Sequence, residues 1–415
     1  MTPGAMSSTM SQNTTREVIL KMRERYGRRG REARGRLLDE LCELCGYGRK
    51  HAIKLLGGKL PVAGEKGRRG GPRRRYGEAE RAVLKVIWLA AEQPCGKRLK
   101  AALALWLPHY ETERGVLDSA LRARVLAPSA ATIDRLLAPC RVAAGSRGRC
   151  GTRPGTLLRK QIPVRTEHWD VAGPGWIEAD TVAHCGESMA GDFVWSLTMT
   201  DVHTQWTETR AVWNKGQHGV RTRIAEVEKA LPFAILGFDS DNGGEFLNWH
   251  LADYFLGRSA PVAFTRSRPY RKNDNARVEQ KNWTHVRQLI GYDRLAEPAQ
   301  AELLNDLYAQ EWGQFRNFFC PAMKHLRTEV EGSRKKRIYD IPQTPFDRLK
   351  ACGQADPRQI AKLEALKATL NPFALKRSIE RKLRRISRAS AGSRLNLKTA
   401  MGFTTDYTDA TDEED

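Results

Sequence analysis

No long apolar run interrupts this chain. None of its 415 residues falls in a stretch approaching the ~20 apolar residues that a membrane-spanning helix needs, and no charged-then-apolar leader precedes a small-residue cleavage site. A cytoplasmic protein with no membrane partner is therefore expected. Cysteine is sparse too: eight residues scattered from Cys42 to Cys352 do not make a disulfide framework. Cys42 and Cys45 form a C-x2-C pair inside an apolar helical pattern with no second pair after it, so they read as small buried hydrophobes rather than zinc ligands. Negative charge is in short supply. Asp and Glu number 48 against 70 Lys and Arg, which gives a net charge of +22 and favours a polyanionic partner, because clustered cations gain affinity by releasing counterions from phosphates. At this length more than one domain is expected.

The first dozen residues are rich in Ser, Thr and Met and predict no fixed structure. A helix begins near Thr14 or Thr15 with Ile19, Met22 and Tyr26 on one face. A second runs from about Arg31 to Cys45, with Leu37, Leu41, Leu44 and Cys45 as its apolar stripe. Gly46-Tyr47-Gly48 stops it, and a short basic helix follows in which Ala52, Ile53 and Leu56 are predicted to face inward. Helix, tight glycine turn and basic helix make a helix-turn-helix over residues 1–57, with Arg49, Lys50 and Lys54 as candidate DNA contacts. An ordinary three-helix bundle with a solvated basic face fits the same pattern.

Residues 58–76 turn abruptly to Gly, Pro and Arg, a composition that buries no core and predicts a flexible linker; Arg73, Arg74 and Arg75 suit an arm lying along a minor groove. A second helical module, 77–138, carries Leu84, Ile87, Trp88 and Ala91, then Leu99, Leu103, Trp106 and Leu107. It closes on Ser129 as N-cap, with Ile133, Leu136 and Leu137 inward and Thr132 and Arg135 free to contact a duplex. Residues 139–165 are a second basic linker.

A third region, 166–300, has the alternation of strands at Trp176 to Val182, Phe193 to Thr200 and Trp206 to Val212, close enough in sequence to form an antiparallel meander. A helix from about Gly219 to Ala230, a buried strand from Ala234 ending in Asp239 and Asp241, a helix from Glu245 to Phe255, a short strand at Pro261 to Phe264 and a helix from Ala276 to about Ile290 follow. Hairpin strands followed by strands alternating with helices predict a mixed sheet flanked by helices. Asp180, Asp241 and Glu279 stand out as acids at strand ends and on a helix, a donor set suited to divalent metal. Asp239 lies on the same face of an ideal strand as Asp241 and is an alternative ligand. Glu178 and Asp201 read as solvated acids, and Glu245 as a residue favouring a helix N-terminus. Trp283 shares a helical face with Glu279 and Arg287, and reads as core more readily than as a DNA platform. Arg271, Lys272, Lys281 and Arg287 are candidate phosphate contacts.

The order Asp180, then Asp241 within Ser-Asp-Asn-Gly, then Glu279 within Asn-Asp-Asn-Ala-Arg-Val-Glu-Gln-Lys-Asn-Trp resembles the DDE catalytic core of insertion-sequence transposases and retroviral integrases. The two upstream modules are similar to those of bacterial transposases carrying an integrase catalytic domain. The 37 residues, 242 to 278, between the last two acids make a slightly longer spacing than many members have. The resemblance implies an α/β fold of the ribonuclease H-like kind, a mixed five-stranded sheet flanked by helices and preceded by tandem all-α helix-turn-helix domains. It implies a transposase using two Mg2+ or Mn2+ ions, with Asp180 bridging both, Asp241 holding one and Glu279 the other. Its partners would be double-stranded DNA at element ends and target, and further copies of the chain. A catalytically silent DNA-binding regulator and a ribonuclease H-type nuclease are the competing expectations.

Beyond the core, 301–400 reads as a basic, largely helical region. Phe318 to Pro321 and Ile338 to Pro345 suggest irregular connections, and a helix at Leu375 to Ile386 either binds DNA or docks Ile379, Leu383 and Ile386 inward. Residues 401–415 reverse sign and read as an acidic disordered tail.

Overall fold

The computed structural model describes residues 11–59, 75–140, 171–241, 243–246, 248–266, 276–331 and 334–389. The chain divides into two compact units, Met1–Arg75 and Tyr76–Asp415. Most of both proposed linkers and the acidic tail lie outside the described residues.

The first unit is three helices: α1 (Gln12–Gly27), capped by the Ser11 side chain, α2 (Arg31–Cys45) and α3 (Arg49–Leu56). Gly46 takes the left-handed conformation that ends α2, which a glycine adopts at little cost. Ile19, Met22, Leu37, Leu38, Leu41, Cys45, Ala52, Leu55 and Leu56 form its core. The inward stripe is rotated from the predicted one. Leu44 and Ile53 are each 44% exposed, while Leu38 and Leu55 are buried. Three short helices enclose a small core from one side each, so the buried face is set by where the neighbouring helices lie rather than by the centre of the apolar stripe.

The second unit opens with α4 (Glu78–Ala90), α5 (Gly96–Arg114), α6 (Ser119–Leu126) and α7 (Ala130–Leu137). Ser129 caps α7 as predicted, accepting from Thr132 N at 3.3 Å. Five strands then build the sheet: β1 (Trp176–Ala183), β2 (Val194–Asp201), β3 (Thr207–Trp213), β4 (Gly237–Ser240) and β5 (Ala263–Arg266). Their order is β3-β2-β1-β4-β5. The first three strands pair antiparallel, whereas β4 runs parallel to both β1 and β5, so the predicted meander and mixed sheet are both present.

Alternation along the strands gives the sheet two faces. One is apolar: Ile177, Ala179, Leu197, Met199, Phe238 and Phe264 pack with residues of α8 (Gln217–Ala230) and α9 (Trp249–Leu256). The other carries Glu178, Asp180, Thr198, Thr200, Asp239 and Thr265. It is met by α10 (Ala276–Lys281), which continues through a π-helical segment, Asn282–Arg287, into α11 (Gln288–Ile290).

The region after residue 300 closes the core. In α12 (Pro298–Leu307), α13 (Gly313–Phe319), α14 (Pro345–Ala351) and α16 (Pro372–Arg388), the apolar residues join those of α4, α5 and α7 in one cluster. Trp106 on α5 is fully buried, donates its indole N–H to Phe319 O at 2.9 Å and meets the Phe373 ring at 5.2 Å. A tryptophan of that size needs cover on several sides, and α13 and α16 provide it. The second helical module and the C-terminal region thus share a core. Phe318 and Phe319 belong to α13 rather than to an irregular connection, and Ile379, Leu383 and Ile386 are docked inward. A hairpin, β6 (His325–Glu331) with β7 (Arg334–Tyr339), stands where no strand was predicted; α15 (Pro357–Thr369) lies between α14 and α16.

Candidate active site

Strand register brings the first two acids together. Glu178 pairs with Asp239 and Ala179 with Ser240, so one further step along both parallel strands sets Asp180 beside Asp241, with backbones about 5 Å apart. The predicted strand began at Ala234, but β4 spans Gly237–Ser240, and Leu236 is 52% exposed. Gly237 is required where it stands, because a side chain there would overlap the Trp176 ring.

Each carboxylate is held by specific donors. Asp180 Oδ1 accepts from Thr181 N at 2.7 Å and its Oδ2 from Asn282 Nδ2 at 2.7 Å. Asp241 Oδ1 accepts from Gly243 N at 2.9 Å. Burial pushes the Asp180 carboxyl well above the usual carboxylate range, and the charges of Asp241, Glu279 and Glu245 push it the same way. Asp241 is raised by burial first and by Glu245 second, with Lys215 opposing. Asp180 therefore feels all three of the other acids, including Glu279 from the crossing helix.

Two acids read from the sequence as solvated are buried instead. Glu178 is fully buried and accepts from Arg277 Nη1 at 2.8 Å and from Val278 N at 3.3 Å, which fastens the helix carrying Glu279 to the strand carrying Asp180. Asp201 holds the turn after β2, accepting from Gly175 N at 2.8 Å and from Thr204 N and Oγ1 at 2.7 Å each. Asp239 is buried and accepts from Thr265 Oγ1 of β5 at 2.6 Å. Glu245 precedes α9 and lies outside it. Its Oε1 takes Thr181 Oγ1 at 2.9 Å and Lys215 Nζ at 2.6 Å.

The residues named as DNA contacts fare differently. Lys50 and Lys54 are exposed on α3, and Arg49 is exposed and ion-paired with Asp39. Arg75 is exposed, whereas Arg73, Arg74, Arg271 and Lys272 lie outside the described residues. Thr132 bonds the Ser129 hydroxyl at 3.0 Å, and Arg135 folds back onto Ala131 O and the Thr132 hydroxyl, each at 3.2 Å. Arg287 donates to Ala183 O at 2.9 Å and stacks over Tyr292. Lys281 is corrected outright: it is 5% exposed, among Arg98, Arg316, Arg348 and Cys320, and cannot reach a phosphate outside the protein. Val278, Lys281, Asn282, His285 and Val286 make the buried stripe of this helix, a period legible in the sequence and missed because a lysine was read by its charge. Trp283 is corrected the other way, at 50% exposed on the side opposite that stripe.

Among the described residues, no group of three or more His, Cys, Asp or Glu side chains is gathered closely enough to hold an ion as it stands. The surroundings nonetheless suit a cation. Of the six buried side-chain atoms without a hydrogen-bond partner among the described residues, two adjoin Asp180 on its own face of the sheet, Thr198 Oγ1 and Asn282 Oδ1, and a third, Glu245 Oε2, lies behind that face on the carboxylate that Thr181 bonds. Thr198 pairs with Asp180 across β1 and β2, and Asn282 bonds it directly. Unsatisfied oxygens beside mutually repelling buried carboxylates are the donor chemistry that hard divalent ions take.

No family model matches the chain. It is 37% identical over 347 residues, 83% of this chain and 97% of the other, to "Uncharacterized protein y4rM" of Sinorhizobium fredii (strain NBRC 101917 / NGR234). The chain belongs to the family of y4rM. The name of y4rM assigns no activity to carry over.

Proposed function

We propose that the protein is a DNA transposase of the DDE type, built on a ribonuclease H-like core, that opens phosphodiesters at the ends of a mobile element and joins the freed 3′ hydroxyl to target DNA. The observation that supports this reading is the juxtaposition of Asp180 and Asp241 at the ends of two parallel strands, with Glu279 acting on Asp180 from the helix that crosses them. The five-stranded mixed sheet flanked by helices supports the core assignment, and the net charge of +22 supports DNA as substrate. Asp180, Asp241 and Glu279 are the residues to hold Mg2+ or Mn2+, and such ions, when bound, neutralise phosphate charge and activate an attacking oxygen.

The chain's own groups prepare that site. Asn282 and the Thr181 N–H fix both oxygens of Asp180, the Gly243 N–H fixes one oxygen of Asp241, and the Glu178 to Arg277 pair sets the helix against the strand. In the first reaction a water oxygen attacks phosphorus, the P–O bond to the 3′ oxygen breaks and that oxygen leaves as a hydroxyl. In the second, that hydroxyl oxygen attacks a target phosphorus at the same site, forming a new P–O bond as the P–O bond to the target's own 3′ oxygen breaks and that oxygen leaves as a hydroxyl, taking up the proton that the attacking oxygen gives up. Incubation of the purified protein with Mg2+ or Mn2+ and DNA carrying the sequences that flank its gene is expected to give nicks at the element ends, and Asp241→Asn to abolish them while DNA retention persists. Equal cleavage by the variant would refute the assignment. Retention of DNA with no metal-dependent cleavage by the wild type would favour the silent regulator.

A further inference from the structure

Glu245 and Lys215 have no part in the three-acid arrangement, yet both adjoin it. Glu245 is 3% exposed, and one of its oxygens is engaged by the Thr181 hydroxyl and the Lys215 ammonium. Its other oxygen, Oε2, is buried with no hydrogen-bond partner among the described residues. That carboxylate lies against Gly243, where a side chain on the glycine would overlap it, and the Gly243 N–H is the group that holds Asp241. Thr181 in turn is the residue whose N–H holds Asp180. Glu245 thus rests on the two backbone positions that orient both strand acids. Lys215, in the turn between β3 and α8, sits over the Trp195 ring at 4.4 Å, with its side chain 22% exposed.

We propose that the Glu245 to Lys215 ion pair is a positioning and charge-setting element that tunes how strongly the neighbouring acids hold a divalent cation. Neither residue is assigned as a ligand. Glu245 faces Thr181, which alternation places on the opposite side of β1 from Asp180, so it acts through the field and through the backbone it abuts. The pair adds one negative and one positive charge behind the site, nearly balanced. Removing either member unbalances it, and the two removals have opposite signs. Loss of Glu245 leaves Lys215 as an uncompensated cation beside Asp241; loss of Lys215 leaves an uncompensated anion.

This inference rests on the metal-binding reading of the three acids, and its test separates the two. Full-length protein without DNA is titrated with Mn2+, and free Mn2+ is followed by its electron paramagnetic resonance signal. Glu245→Gln keeps the shape and the acceptor for Thr181, and is expected to weaken Mn2+ binding about three- to tenfold, the scale of one unit charge acting across a partly screened site. Lys215→Met is expected to tighten it by a similar factor, and the double variant to return close to wild type. A purely structural role predicts that both single variants weaken binding and that the double variant is worse. Weakening by both, or no change in either, overturns the inference while leaving the site reading intact, provided Asp241→Asn still abolishes binding. No Mn2+ binding by the wild type overturns both. Should Glu245→Gln fail to fold by circular dichroism, tightening by Lys215→Met and the affinity of the double variant decide the matter.

Discussion

Arg277→Ala is the substitution that most directly probes how the site is assembled. The guanidinium donates to Glu178 Oε1 at 2.8 Å, and the next residue's N–H donates to the other oxygen at 3.3 Å. Glu178 has a fully buried side chain, while that of Arg277 is 28% exposed. Deleting one partner of a fully buried pair costs about 3–5 kcal/mol. Water can reach the place that Arg277 vacates, so the expected loss is smaller, about 2–3 kcal/mol. Glu178→Gln retains an oxygen to accept from Arg277 and loses the charge, with an expected cost of about 1–2 kcal/mol. In the double variant the arginine and the buried charge are both gone, so the two losses do not add, and a coupling of about 1 kcal/mol or more is expected. Urea midpoints of the four proteins measure the cycle. Amide exchange reports the local effect, with protection of Val278 to Lys281 falling in Arg277→Ala. Because Asp180 lies two residues beyond Glu178 and Glu279 two residues beyond Arg277, the same variant should depress metal-dependent cleavage more than it depresses DNA retention. Additive losses, or a coupling below about 0.3 kcal/mol, would show that the helix is held to β1 by other contacts.

His184 gives a pH prediction. Burial and the Arg287 charge lower it from the ordinary 6.5 to about 3, so the folded protein keeps it neutral while the unfolded chain takes up a proton below 6.5. Its contribution is therefore complete above pH 6.5 and is lost as pH falls toward 3, a total of about 3–5 kcal/mol; His184→Gln should flatten the acid limb of a stability-versus-pH curve by nearly one proton. Gly243→Ala forces a methyl into the Glu245 carboxylate and should cost about 1–3 kcal/mol, most of it recovered in Gly243→Ala with Glu245→Ala; a loss unchanged in the double variant locates the strain elsewhere. Trp283→Ala, at a position 50% exposed, should change stability by no more than about 1 kcal/mol yet weaken binding of single-stranded DNA by about 1–3 kcal/mol; intact DNA affinity would remove Trp283 from the interface.

The sheet was legible because period-two alternation is a local signal, and the turns between its first strands are short. The meander and the mixed pairing followed from it. The pairing of Asp180 with Asp241 was not legible from alternation alone, since register depends on which residues of β1 and β4 meet, and the predicted start of β4 was three residues early. Glu178 and Asp201 were misread for a different reason. A carboxylate in a strand is solvated unless something distant supplies donors, and those donors, Arg277 and the Gly175 and Thr204 amides, come from other parts of the chain. The shared core of Trp106 with Phe319 and Phe373 is longer in range still, and nothing local in either segment announces its partner.

The crossing helix shows why neighbouring residues of one segment were read unevenly. Glu279 and Trp283 share a face at i, i+4 as the sequence suggests, but that face is exposed where Trp283 was expected to be core. Lys281, one position away from Asn282, is buried toward α13 while Asn282 reaches Asp180. The hydrogen-bond ladder widens to π spacing from Asn282 onward, which inserts extra backbone into the turn and lets adjacent residues serve two different walls. Within that segment Asn282 Oδ1 has no partner among the described residues while its Nδ2 is committed to the acid. An apolar residue at 282 would satisfy the packing but leave Asp180 Oδ2 without the donor that complements the Thr181 N–H on Oδ1, so the π segment that sets Asn282 there serves the site as well as the packing.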